Sequence, residues 1–169
     1  RLRAEKIVDD AGLRAALERS ASTGEDLASA CWSLKLANER DLVRAICQTL
    51  GYPGIDLSGS VIRLANLEHV PDDVIRRKLV LPVLDNESEL LVAMAEPDDA
   101  AVYDELRFLT GRRVLRHAAI PAVLRAAVDA ALKARDAGGA EWRGRDTWML
   151  EPPPEGKVAV VHPTSVATH

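Results

Sequence analysis

Three groups of residues in this chain have types and spacings that could do chemistry. The first is a set of guanidiniums, Arg107, Arg112, Arg113 and Arg116, around the turn at Gly111. Such a cluster can meet phosphate or carboxylate, but a nucleic-acid surface also wants stacking aromatics and a basic chain. Here the formal charge is −4 and the single Phe, Phe108, is expected in the core, so a solvated turn is expected and no nucleic-acid partner. A helix-turn-helix reading of 38–50 meets the same objection, because its outer face carries Glu39 and Asp41. The second group is Arg76-Arg77-Lys78 at the end of a predicted helix, where positive charge complements the helix dipole; Arg76 and Arg77 are candidate docking residues. The third is Gly156-Lys157, the one Gly-Lys pair. It is followed by Val158 and has Glu151 where the first Gly of a G-x-x-x-x-G-K-[ST] loop belongs, so it offers no phosphate cradle and no hydroxyl for magnesium. ATP hydrolysis by this chain is therefore set aside. His69, His117 and His162 are scattered without ligand spacing, so no metal is expected. Cys31 and Cys47 form no C-x-x-C and read as buried thiols. No nucleophile–base pair stands out, and neither an enzymatic role nor a cofactor is expected.

The elements that must position these residues are built from 169 residues, enough for one good core or two small lobes in contact. Hydrophobic residues make up 47% of the chain but only 4% are aromatic, so Leu, Val, Ile and Ala must form the core. No apolar run approaches the roughly 20 residues that span a bilayer, and no signal-peptide pattern opens the chain. A cytoplasmic protein is expected, with any membrane link made through a partner. Arg1 is not an initiator, which implies a lost Met or a longer upstream region.

Texture divides the chain into a helical subdomain over 1–54, an α/β sandwich subdomain over 55–135, and a linker or irregular tail over 136–169. Within the first lies a weak repeat at an offset of 29 residues: Lys6 to Leu13 is echoed by Lys35 to Leu42. Each copy presents a helix-capping side chain, Asp9 or Asn38, and then apolar residues at helical spacing: Leu13, Ala16 and Leu17, or Leu42, Ala45 and Ile46. Between them Thr23 is expected to cap a helix carrying Leu27, Ala30, Cys31 and Leu34 on one face.

Gly51-Tyr52-Pro53-Gly54 stops the bundle. Then come a short extended piece at Ile55-Asp56-Leu57, a helix opened by Pro71-Asp72-Asp73, and two strand-like runs, 79–84 and 90–95, joined as a hairpin. Pro82 places the first run at an edge or bulge. A helix over 99–110, a strand over 113–118 and a helix from Pro121 to about Arg135 complete the pattern. Phe108 is expected to anchor helix to sheet. The order predicts an α/β (α+β) fold in which helices cover a three- or four-stranded sheet. The tail ends the pattern, with Gly138-Gly139, Pro152-Pro153-Pro154, and an unusual concentration of Trp142, Trp148, Met149 and Leu150. It reads equally as packing back on the domain or as a recognition segment.

Several of these segments carry a resemblance. Leu50-Gly51-Tyr52-Pro53, Ile55-Asp56-Leu57, Val70-Pro71, Leu81-Pro82-Val83, Met94-Ala95-Glu96-Pro97-Asp98 and Phe108-Leu109-Thr110-Gly111 follow one another in register. The chain from about 6 to 134 resembles the N-terminal domain of general secretory pathway protein E and of the related type IV pilus assembly ATPases. The resemblance implies a non-catalytic protein-interaction domain of a type II secretion or type IV pilus system. Its partner would be the inner-membrane platform or an ATPase module, leaving the chain peripheral to the inner membrane.

Some members of that family bind cyclic di-GMP through paired helical motifs that begin Arg-Leu-Gly and end in Gln. Aligned on the repeat, Arg-Leu-Gly falls on Asp26-Leu27-Ala28, the closing Gln on Ser20 and Thr49, and a central Gly on Lys6 and Lys35. Arg1-Leu2-Arg3 is a possible remnant of the first copy, which makes Arg1 and Arg3 candidate ligand residues. Asp in place of Arg reverses the charge toward a dianion. This motif loss counts against cyclic di-GMP as a partner, and the sensor reading is kept as the alternative to docking.

Overall fold

The computed structural model describes residue 2, residues 5–149 and residues 156–163. The repeat sets the first three helices: α1 (Asp10–Thr23), α2 (Leu27–Ser33) and α3 (Glu39–Leu50). Asp9 and Asn38 cap α1 and α3 as the repeat predicts, accepting from the N–H groups of Gly12 at 2.7 Å and Asp41 at 2.9 Å. Helix α2 departs from expectation. Its cap is Asp26, which accepts from Ser29 N–H at 2.9 Å, while Thr23 closes α1 by donating its hydroxyl to the Arg19 carbonyl. The carboxylate lies nearer the start of the apolar run, so it takes the free amides.

Beyond α3 the chain forms β1 (Gly54–Ile55), β2 (Val61–Arg63), α4 (Asp72–Lys78), β3 (Val80–Asn86), β4 (Glu89–Met94), α5 (Ala100–Thr110), β5 (Arg113–Ala118) and α6 (Pro121–Asp136). It finishes with β6 (Glu141–Arg143) and β7 (Val160–Val161). The main sheet is mixed, in the order β3-β4-β5-β1-β7, and a second sheet pairs β2 with β6. The fold is α/β as expected, but the main sheet has five strands rather than three or four, because β1, which overlaps the short extended piece expected at 55–57, joins it and β7 is a two-residue segment too short to show a period.

Strand β4 lies inside the sheet, and Leu90 to Met94 are buried without alternation because both faces are covered. Strand β3 is at the edge, and its register with β4 shifts between Pro82 and Leu84, where the missing N–H breaks the ladder. Helix α6 begins with Pro121 and buries Val123, Leu124, Ala127, Val128, Ala131 and Leu132, a stripe at helical spacing against the sheet.

Phe108 corrects an expectation. It is 88% exposed and does not anchor α5 to the sheet. The buried face of α5 is set by Val102 and Leu106, one turn apart. Phe108 lies two residues beyond Leu106, about 200° around the helix, and so points away from the sheet.

The segment after α6 returns to the body. β6 pairs with β2 through Ile62 and Trp142, Thr147 is fully buried, and β7 adds antiparallel to β1. The side chains of Trp148, Met149 and Leu150 lie outside the described residues.

The tightest approach in the core is α3 on β1. A Cβ on Gly54 would collide with Cys47 Sγ, Val43 Cγ1 and the Ala118 carbonyl. Gly54→Ala is expected to destabilise the fold by about 2–3 kcal/mol, in the range of overpacking. Urea denaturation should show a lower midpoint at unchanged slope; an unshifted midpoint would mean that α3 is free to move off β1.

Candidate ligand groove of the helical repeat

The repeat shapes a surface as well as a sequence pattern. Lys6 and Lys35, the positions of the central motif Gly, both have left-handed backbones, with φ of 55° and 57°. The same turn hydrogen bond precedes each copy, Ile7 N–H to Leu2 carbonyl and Leu36 N–H to Cys31 carbonyl, at 2.9 and 3.0 Å. The 29-residue offset is therefore a structural repeat, and the left-handed conformation persists without glycine.

The two copies face one groove of about 540 Å³. The first copy contributes Leu13 and Leu17, with Leu2 ahead of them; the second contributes Leu42, Ala45, Ile46 and Thr49. Leu27 and Ala28 line it as well. Leu17 and Leu50, both groove residues, keep 51% and 37% of their surface exposed. Ser20 takes no part, since its hydroxyl donates to the Glu25 carbonyl at 2.6 Å. Asp26 stands exposed at the start of α2. A groove of this kind can hold a flat or helical apolar body, with polar recognition confined to its rim.

The candidate residues separate. Arg1 and Arg3 lie outside the described residues. Arg76 donates to Asp129 at 2.8 Å and Arg77 lies 3.7 Å from Asp73, so on α4 both belong to ion pairs and neither lines the groove. Arg135 makes a two-pronged contact with Asp72 that holds the Asp72 carboxyl below its usual range. Among the described residues no three His, Cys, Asp or Glu side chains converge on a metal-sized site. Cys31 and Cys47 are free and buried; burial raises both thiols, Cys47 to about 11. No helix among the described residues is long and apolar enough to cross a membrane.

Sequence reasoning missed Glu39 as a buried acid, having placed it on an outer face. It is only 6% exposed, accepts from Ser58 N–H at 3.2 Å, and lies beside the buried Asp56. Burial, with the neighbouring Asp56 charge, pushes its carboxyl up to about 8. It lines a smaller hollow of about 270 Å³ with Trp32, Trp142 and Arg145. No local pattern marks it, because the elements that cover it come from residues 57–58, 123–130 and 142–145.

A two-copy helical face joined to a small mixed sheet defines an α/β module. A family model, the MshEN domain, matches residues 50–138. The type IV pilus assembly ATPase PilB of Myxococcus xanthus (strain DK1622) is 27% identical over 125 residues, which is 74% of this chain but 22% of that protein. The chain thus spans about a fifth of that relative. A structure of MshE with cdg, cyclic di-GMP, is 27% identical at a TM-score of 0.52, covering 76% of this chain and 94% of that one. The N-terminal domain of XpsE is 22% identical at a TM-score of 0.44, over 76% of this chain and 89% of its own. The chain belongs to the MshEN domain family. The resemblance read from the sequence is to the N-terminal domains of the same secretion and pilus ATPases.

One expectation is overturned. Motif loss was read as evidence against cyclic di-GMP, yet the similar protein MshE has been solved with that ligand. That expectation rested on the charge reversal at Asp26 and on the replacement of Gly at Lys6 and Lys35, and the second is a loss of residue type alone. The Gly they replace supplies a backbone shape, and that shape is still present.

Glu39 gives a pH dependence whose sign is fixed. Its folded pKa lies above the unfolded value, so its contribution is complete below about pH 4.5 and is lost progressively as pH rises through about 8. Charged neighbours on packed elements are Asp56, Arg40 and Arg145. Chemical denaturation across pH 4 to 9 should show stability falling over that window, and Glu39→Gln should flatten the fall. An identical profile in both proteins would show that Glu39 ionises normally.

Proposed function

We propose that this chain is a non-catalytic regulatory module of a type II secretion or type IV pilus assembly system that binds cyclic di-GMP on the helical repeat. The supporting observation is that both repeat copies face one groove, in a chain of which 76% matches an MshE structure holding that ligand. Leu27, Ala28 and Thr49, aligned with motif positions, line the groove. Bases would lie on the leucines, and phosphates would sit at the rim. Ligand occupancy would then alter how the module docks to a protein partner on the cytoplasmic face of the inner membrane. The chain has no G-x-x-x-x-G-K-[ST] loop, so phosphoryl transfer is assigned to no residue of it.

A second reading is direct docking of a partner helix in the same groove, favoured by the exposed Leu17 and Leu50. Asp26 separates the two. On the sensor reading it opposes the ligand's charge, so Asp26→Arg should tighten cyclic di-GMP binding about ten- to hundredfold. The same change should cost about 1 kcal/mol of stability through the lost α2 cap. Calorimetric titration of the parent chain and the variant decides it. No heat from either would sink the sensor reading and leave groove docking.

A further inference from the structure

The buried acids Glu39 and Asp56 lie at a junction that the groove does not use. Glu39 is the first residue of α3, and its Oε2 accepts from the Ser58 N–H at 3.2 Å. Asp56 Oδ1 accepts from the Ser58 hydroxyl at 2.5 Å. The two acid side chains also hydrogen-bond each other. Carboxyls make that contact by sharing a proton, since two carboxylates have no donor between them and repel. The short 3-10 turn Leu57–Gly59 is thus held to α3 by a pair of acids and one proton.

The same turn carries the returning segment. Gly144 N–H donates to the Ser60 carbonyl at 2.8 Å, and a Cβ on Gly144 would collide with the Leu57 and Ser58 carbonyls. Thr147, fully buried, donates its hydroxyl to the Gly144 carbonyl at 2.7 Å. The stretch Glu141–Thr147 is otherwise held to the body by β6, a strand of three residues paired with β2. Backbone pairing this short has little stability of its own, so such a segment opens at lower cost than the core.

The other charged groups at this hollow do not replace the proton. Arg40, on α3, stands 3.9 Å from Asp56 with 52% of its side chain exposed. Arg145 is 81% exposed and lies 3.6 Å from Asp146. Trp32 of α2, Trp142 of β6, and Val123, Ala126, Ala127 and Ala130 of α6 line the hollow and bring no charge. Loss of the proton leaves two carboxylates in contact beneath that lining. The relief that costs least is to admit water by lifting the shortest element there. We propose that Glu39 and Asp56 form a proton-operated latch. With one proton shared between them the turn Leu57–Gly59 stays seated on α3; when the proton leaves, the turn and the Glu141–Thr147 stretch above it open together while the main sheet stays closed.

Hydrogen exchange of the full chain tests this, read peptide by peptide from about pH 6.5 to about pH 9 and corrected for the base-catalysed intrinsic rate. Protection over residues 57–63 and 141–147 should fall about tenfold by one pH unit above the midpoint, which the raised Glu39 carboxyl places at about 8. Strands β4 and β5 should keep their protection. Glu39→Gln should hold both segments protected across the range. Should that variant fold poorly, carbon-13 NMR of the unmodified chain takes its place: one of the two carboxyls must titrate with the midpoint of the lost protection. Four results would each overturn the proposal: protection unchanged with pH, a loss spread evenly over the chain, carboxyls that both titrate in the ordinary range, or a loss that persists in folded Glu39→Gln.

Discussion

The contact of α3 with β1 is the constraint from which the arrangement follows. Gly54 has no side chain, so Val43 and Cys47 rest directly on the strand, and Cys47 Sγ reaches the Val161 carbonyl of β7. A helix seated this closely cannot roll. Its opposite face, with Leu42, Ala45, Ile46 and Thr49, is thereby aimed into the groove. Sheet edge, returning segment and candidate ligand surface are thus joined through one helix twelve residues long.

The groove also shows what a degenerate repeat preserves. The side chains at its key positions have changed, but the left-handed turns at Lys6 and Lys35 and the caps at Asp9 and Asn38 recur at the same offset. A left-handed residue costs about a kcal/mol outside glycine, and two such residues persist because the following hydrogen bonds and caps over-determine the turn. Backbone shape has outlasted the residues that favour it. This explains how a chain with weak motif agreement still has the arrangement of its family.

Charge is distributed against the average. The chain is acidic, yet α4 and α6 are tied by Arg76–Asp129 and Arg135–Asp72 pairs, and Arg107 and Arg116 lie over tyrosine rings. Two acids, Glu39 and Asp56, are placed inside, where burial and the Asp56 charge raise the Glu39 carboxyl. Net charge says little about any one face, because the fold sorts the charges after composition is set.

Much of this was legible along the chain. The caps of α1 and α3, Pro121 opening α6, the edge position forced by Pro82, and the 29-residue repeat are local facts, governed by hydrogen bonds and sterics within a few residues. They determined the helices, the hairpin and the family. The pairing of β1, the strand β7, the burial of Glu39 and the exposure of Phe108 were not legible. A two-residue strand exists only by its pairing partner. The Glu39 carboxyl is pushed up only because elements up to about a hundred positions away in sequence exclude water from it. Phe108 faces out because the docked face of α5 was chosen by Val102 and Leu106, and hydrophobicity alone does not say which side of a helix meets the sheet. The sequence determined the elements and their ends. Which faces closed on one another, and so which residues were left to bind, was decided by tertiary packing.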